Sequence, residues 1–199
     1  MVLLLWAVGS VVSRIAGGFD SPLSTFSIDH RSGWLTVVMT AATDLGSIVA
    51  AIVVAAVAIV LLLRARAPRS AVAVAVALGG ELVIEYSTKM LVGRVRPQGH
   101  HLVVATSQSF PSGHAMYAAA FFGILIVLAL RDTPRPSWAR PAAVLLAVLT
   151  LLVGMSRVYL GVHWPTDVMG GWSFGAAWAA VVAHVVIPRR EVVRLARLS

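Results

Sequence analysis

Residues Ala142–Asp167 read AAVLLAVLTLLVGMSRVYLGVHWPTD. The run up to Val158 is apolar apart from its last few residues and nearly long enough for a membrane span, which needs about 20 such residues. It then turns polar within a few positions, delivering Ser156, Arg157, His163 and Asp167. Ionisable groups are costly near hydrocarbon and usually mark function there. A membrane helix that carries a reactive cluster at one end is the first reading.

Working outward, Leu35–Leu63, Ala71–Leu91 and Val168–Ile187 are further candidate spans, and Ala115–Leu130 is slightly short but uncharged. Met1–Val12 has no positive n-region and does not read as a signal peptide. It is expected to be a first span that is short or clipped at its start. Leu35–Leu63 exceeds one span, so its beginning, around Trp34–Thr43, is expected to lie along the interface. The whole chain agrees: of 199 residues, 59% are apolar and only 12% charged, with a mean hydropathy of +0.88. Soluble domains carry about 25% charged residues, and this composition cannot cover a soluble surface. The fold class expected is all-α, a six-helix transmembrane bundle forming one domain over 1–199, with the reactive motifs within 89–167.

Cysteine is absent, which excludes disulfides, thiolate metal sites and a cysteine nucleophile. The net charge of +8 raises nucleic acid as a partner. The charges lie in short runs between apolar segments, however, so anionic lipid heads are the expected partner and nucleic acid is not. Arg64, Arg66 and Arg69 follow the second span, Arg131, Arg135 and Arg140 the fourth, and Arg189, Arg190, Arg194 and Arg197 the last. Lysine and arginine are retained on the cytoplasmic side. With six spans these clusters share one side, which places both termini in the cytoplasm of a multi-pass plasma-membrane protein.

The opposite side keeps Lys89, the only lysine, with Arg14, Arg31, Arg94, Arg96 and Arg157, too many basic residues for anchoring alone. Three patterns lie there: Lys89 through Arg96-Pro97, then Pro111-Ser112-Gly113-His114, then Ser156-Arg157 through His163 and Asp167. Helix parity alone brings them to one face. Lys89, Arg96 and Arg157 together require an anion, and a phosphoryl group suits the planar fork of arginine. Ser112 and Gly113 open a helix whose first amides point outward as an anion cradle. The four-residue spacing of His163 and Asp167 lets the carboxylate orient the imidazole and support an imidazolium, with imidazole itself as nucleophile. His114 has no carboxylate neighbour in sequence and is the better candidate for the acid.

These three patterns resemble the signature motifs of the type 2 phosphatidic acid phosphatase family: Lys-x6-Arg-Pro, Pro-Ser-Gly-His and Ser-Arg-x5-His-x3-Asp. All the defining identities are present in order and with the family's spacings, over helices three to six. The resemblance implies a phosphohistidine on His163 assisted by Asp167, and leaving-group protonation by His114. It also implies phosphate binding by Lys89, Arg96, Ser112, Gly113 and Arg157, with no metal and no cofactor. Pro97, Pro111 and Ser156 complete the motifs in supporting positions.

The expected activity is hydrolysis of a lipid phosphate or diphosphate at the extracytoplasmic face. A polyprenyl, undecaprenyl-like diphosphate is the first substrate; phosphatidic acid or phosphatidylglycerol phosphate is the second. A lipid phosphotransferase and an inert transporter or scaffold are the rivals. Glu81, Glu85 and Lys89 recur every four residues on one helix stripe. Glu85 is expected to orient Lys89, while Glu81 is open between structure and a polar path. Asp44 is left open too. His100 and His101 read as loop rather than metal ligands. Gly170, Gly171, Ser173 and Gly175 read as close helix packing, and Trp34, Trp138, Trp164 and Trp172 as interfacial belts.

Overall fold

The computed structural model describes residues 16–131 and 136–187. Among them run seven helices and no strand: α1 (Gly17–Asp29), α2 (Gly33–Leu45), α3 (Ile48–Arg64), α4 (Pro68–Val92), α5 (Gly113–Leu130), α6 (Ala139–Tyr159) and α7 (Pro165–Val186). The last four are each long and apolar enough to cross a membrane, and α2 with α3 passes the same test as a pair bent by 54°. The expected span at Met1–Val12 lies outside the described residues, as do the basic residues beyond Ile187.

The bend separates Trp34–Thr43 from the rest of its long apolar run. Ser47 caps α3 by accepting from the Ala50 amide at 3.3 Å, and Gly46 packs into the bundle. A Cβ there would stand 2.4 Å from Val153 Cγ1 and 3.3 Å from the His114 ring. Helix α1 lies outside the expected spans, and its Gly17, Gly18 and Pro22 are poor helix formers. Its tertiary anchor is Asp20, a buried carboxylate described below.

Helix α5 is the centre of the bundle. Apolar on all sides, it buries Ala115, Met116, Ala118, Ala120, Phe121 and Ile124 completely. Helix α7 presses against its backbone: a Cβ on Gly171 would lie 2.6 Å from the Ser112 carbonyl oxygen, and one on Gly175 2.3 Å from that of Met116. Between helices in lipid, close van der Waals packing replaces the hydrophobic drive, so these two glycines pack as expected. Ser173 does not join them; it is exposed and donates to its own helix at Met169.

Trp34 and Trp138 are exposed in the manner of a belt. Trp172 and Trp164 are not simply belt residues. The Trp172 ring covers Gly154 and donates to the Thr150 carbonyl at 3.1 Å. Trp164 donates to the Val95 carbonyl at 3.0 Å.

Consecutive antiparallel helices bring the end of α4, the start of α5, the end of α6 and the start of α7 together. At the opposite end Arg131 donates to Ser70 Oγ at 3.1 Å, joining the foot of α5 to that of α4.

Candidate active site

Helix α4 ends at Gly93 with φ +62°, a left-handed cap that glycine adopts without strain. The chain turns there and presents Arg94 and Arg96 back to the bundle. Buried Lys89, on the last turn of α4, donates to the Gln108 carbonyl at 2.7 Å and lies 3.4 Å from Glu85 Oε1. The expected Glu85–Lys89 pair is thus present. Arg96 donates through Nε to the Ser107 carbonyl at 2.7 Å and through Nη1 to that of Val162 at 2.6 Å. Burial lowers the Arg96 pKa, and the charges of Asp167 and Glu85 oppose that shift. Pro97 is buried, and its carbonyl lies 2.6 Å from His101 Nε2.

Ser112 is the N-cap of α5, and its amide donates to the Asp167 carbonyl at 3.0 Å. Its hydroxyl is buried and has no protein partner. At Gly113 a Cβ would come within 2.1 Å of Glu85 Oε1, so only glycine leaves room for that carboxylate to cross the helix start. Pro111 follows Phe110 through a cis peptide. His114, one residue into the helix, lies within electrostatic reach of Arg157, His163, Lys89 and Arg96.

Arg157 is buried at the end of α6. Its Nη1 donates to Thr43 Oγ1 at 2.5 Å, while its Nε has no partner. Ser156 faces elsewhere, donating to the Val153 carbonyl of its own helix at 2.6 Å. Its contribution is therefore within α6.

His163 is 2% exposed and sits in the turn before α7. Its Nε2 lies 2.9 Å from Arg96 Nη1. A guanidinium has only donors, so Nε2 must accept and the neutral ring carries its proton on Nδ1. Burial pushes the His163 pKa down to about 3; Arg96 and Arg157 add to the shift and Asp167 opposes it.

The expected hydrogen bond to Asp167 is looser than the spacing suggested. His163 Nδ1 stands 3.5 Å from Asp167 Oδ2 and counts among the buried atoms without a partner. Asp167 Oδ2 already accepts from Ser109 Oγ at 2.5 Å and from the Trp164 amide at 2.9 Å. Its Oδ1 accepts from Arg94 Nη1 at 2.5 Å.

The sequence reading missed what holds Asp167. Arg94 also donates to Asp20 Oδ2 at 2.6 Å, and Asp20 in turn accepts from Thr166 through its amide at 2.9 Å and its hydroxyl at 2.7 Å. Thr43, partner of Arg157, was likewise missed in favour of its neighbour Asp44, which is exposed. The only available signal was a charge placed where charges are expensive. Nothing in the chain paired Arg94 with an acid in α1. Among the described residues no group of three or more His, Asp or Glu is placed to hold a metal ion. The loop of His100 and His101 is tied instead through Arg31, which donates to the His100 carbonyl at 2.9 Å.

A PAP2 superfamily sequence model matches residues 70–191. The chain belongs to the PAP2 superfamily. This PAP2 protein is 33% identical over 157 residues to phosphatidylglycerophosphatase B of Bacillus subtilis, covering 78% of this chain and 77% of that one. It is 39% identical over 71 residues to undecaprenyl-diphosphatase of Sulfolobus acidocaldarius, a match confined to 36% of this chain and 30% of that one. The crystal structure of a transmembrane PAP2-type phosphatidylglycerolphosphate phosphatase from Bacillus subtilis superposes with a TM-score of 0.85 at 28% identity, over 96% of this chain and 97% of that one. This chain is a membrane-embedded hydrolase of the lipid-phosphatase type.

Proposed function

We propose that the chain removes phosphate from a lipid through a phosphohistidine on His163, in one domain of six spans. The observation that carries this reading is His163 Nε2, neutral and held as an acceptor by Arg96 at 2.9 Å, within a buried cationic site. Ser112 Oγ and Arg157 Nε contribute donors there that have no protein partner. A phosphoryl group satisfies both. Lys89, Arg96, Arg157 and the first amides of α5 at Gly113 neutralise its oxygens, which is most of what phosphoryl transfer requires.

In the first step Arg96 Nη1 moves from His163 Nε2 to a phosphoryl oxygen, and the freed Nε2 lone pair bonds to phosphorus as the ester oxygen departs with a proton from His114. Water then attacks the phosphohistidine, with His114 taking a proton, and releases phosphate. Asp167 steadies the Nδ1–H side of the ring. The cationic site compensates charge without a metal. The Arg clusters support an extracytoplasmic site with both termini cytoplasmic.

The test is turnover of His163→Ala, His114→Ala and Asp167→Asn on a lipid monophosphate and on p-nitrophenyl phosphate, with an acid-labile phosphoenzyme sought by rapid quench. His163→Ala forms no phosphoenzyme with either substrate. His114→Ala retains relatively more activity on the aryl ester, whose leaving group needs less protonation. A phosphoenzyme that survives His163→Ala but not His114→Ala overturns the assignment.

A further inference from the structure

Asp20 lies on the first turn of α1, outside every motif, and is 2% exposed. Its Oδ1 accepts from the Thr166 amide at 2.9 Å, and its Oδ2 from the Thr166 hydroxyl at 2.7 Å and Arg94 Nη2 at 2.6 Å. Thr166 is the second residue of α7, and the first amides of a helix have no acceptor within it. The N-cap of α7 is Trp164, whose indole can only donate. A carboxylate delivered from α1 therefore caps the helix that carries Asp167.

The same guanidinium holds Asp167. Arg94 Nη1 donates to Asp167 Oδ1 at 2.5 Å and to Thr166 Oγ1 at 2.8 Å. In the proposed mechanism Asp167 has two conflicting tasks. A buried carboxylate stays ionised and oriented only when it is paired and hydrogen-bonded. Yet when the Nε2 lone pair of His163 becomes the bond to phosphorus, the ring keeps its Nδ1 proton and gains a positive charge for Asp167 to offset. Arg94 alone would cancel that carboxylate. Shared with Asp20, one guanidinium faces two carboxylates, and the trio keeps one net negative charge.

We propose that Asp20 is a positioning residue of the reaction, dividing Arg94 so that Asp167 retains the charge that the phosphohistidine ring needs. This deepens the phosphohistidine reading and rests on it. Asp20 bonds to none of Lys89, Arg96, Ser112 or Arg157. Its influence is therefore on the transfer step and not on holding phosphate.

The experiment uses the full chain in detergent with p-nitrophenyl phosphate and a lipid monophosphate. It measures kcat, the inhibition constant of inorganic phosphate, and the phosphoenzyme level by rapid quench. Asp20→Asn keeps the volume and an oxygen for Thr166 but removes the charge. Outer partners of functional ligands at metal sites carry about 10–100-fold in affinity or activity, and by that scale Asp20→Asn lowers kcat about tenfold on both substrates. The phosphate constant stays within about twofold and less phosphoenzyme accumulates, because the phosphate-holding donors are untouched. In an Asp167→Asn background the same change has little further effect on kcat, since Asp20 acts through Asp167. Unchanged kcat, a tenfold weakening of phosphate binding in parallel with kcat, or a full tenfold loss repeated in the Asp167→Asn background overturns the proposal. Should Asp20→Asn not fold, Thr166→Val decides it: this variant keeps both carboxylates and loses the hydroxyl between Asp20 and Arg94. A fall in kcat at constant phosphate affinity supports the proposal, and an unchanged kcat overturns it. A wild-type chain that turns over neither substrate and forms no phosphoenzyme would instead count against the phosphatase reading itself.

Discussion

Arg94 and Asp167 form a buried ion pair, Nη1 to Oδ1 at 2.5 Å, and the same guanidinium reaches Asp20 in α1 at 2.6 Å. One cation thus compensates two buried carboxylates and ties the first described helix to the turn that carries His163. Removing one partner of a buried pair costs about 3–5 kcal/mol, since the other charge stays behind. Arg94→Ala should lower the thermal midpoint in detergent sharply and slow turnover as Asp167→Asn does. In a double-mutant cycle the two losses should be well short of additive. Full additivity in turnover would mean that Arg94 does not act through Asp167.

The His163–Arg96 contact sets a pH dependence. A ring with its pKa held near 3 stays neutral as pH falls through the usual imidazole range, so the proposed nucleophile is not lost there. The kcat/KM profile on p-nitrophenyl phosphate should show no loss assignable to His163 between about pH 7 and pH 4. Arg96→Gln removes a neighbouring positive charge and should move that limb to higher pH, whereas Asp167→Asn removes a negative one and should move it lower. Opposite shifts would refute the electrostatic assignment.

Two glycines should respond differently to alanine. At Gly175 the added Cβ meets the Met116 carbonyl oxygen at 2.3 Å, and backbone cannot step aside. Overpacking of this kind costs about 1–3 kcal/mol and should appear as a lower thermal midpoint. At Gly113 the clash is with the end of the flexible Glu85 side chain, at 2.1 Å. Gly113→Ala should leave the midpoint nearly unchanged while impairing turnover, because Glu85 is pushed from its place beside Lys89.

Chelation provides a separate check. Lys89, Arg96 and Arg157 supply the positive charge in the proposed mechanism, so activity should survive EDTA. Complete loss restored by Mg²⁺ or Zn²⁺ would overturn the metal-free mechanism.

Topology is testable with a reporter active only outside the cytoplasm. Inserted within Gln98–Ser109 it should work, and fused after Arg197 it should fail. The reverse pattern would move the site to the cytoplasmic face.

Much of this protein was legible without a structure. Apolar runs between charged loops have no stable form in lipid except helices that satisfy their own backbone. Lys89, Arg96, His114, Arg157, His163 and Asp167 stood out because charges and imidazoles at span ends are costly unless used, and Ser112 because it opens a helix next to them. Spacing also anticipated the Glu85–Lys89 pair, since residues four apart share a helix face. It suggested a tighter His163–Asp167 bond than exists, because spacing cannot report that Ser109, the Trp164 amide and Arg94 already occupy the carboxylate. Only the tertiary structure paired Arg94 with Asp20, 74 residues away, and Arg157 with Thr43, 114 residues away. It alone fixed which nitrogen of His163 is the acceptor and turned Glu81 into the wall of a cavity. Periodicity encodes which face of one helix a residue occupies, whereas a buried polar contact depends on how several helices pack, and the close approaches at Gly171 and Gly175 decide that.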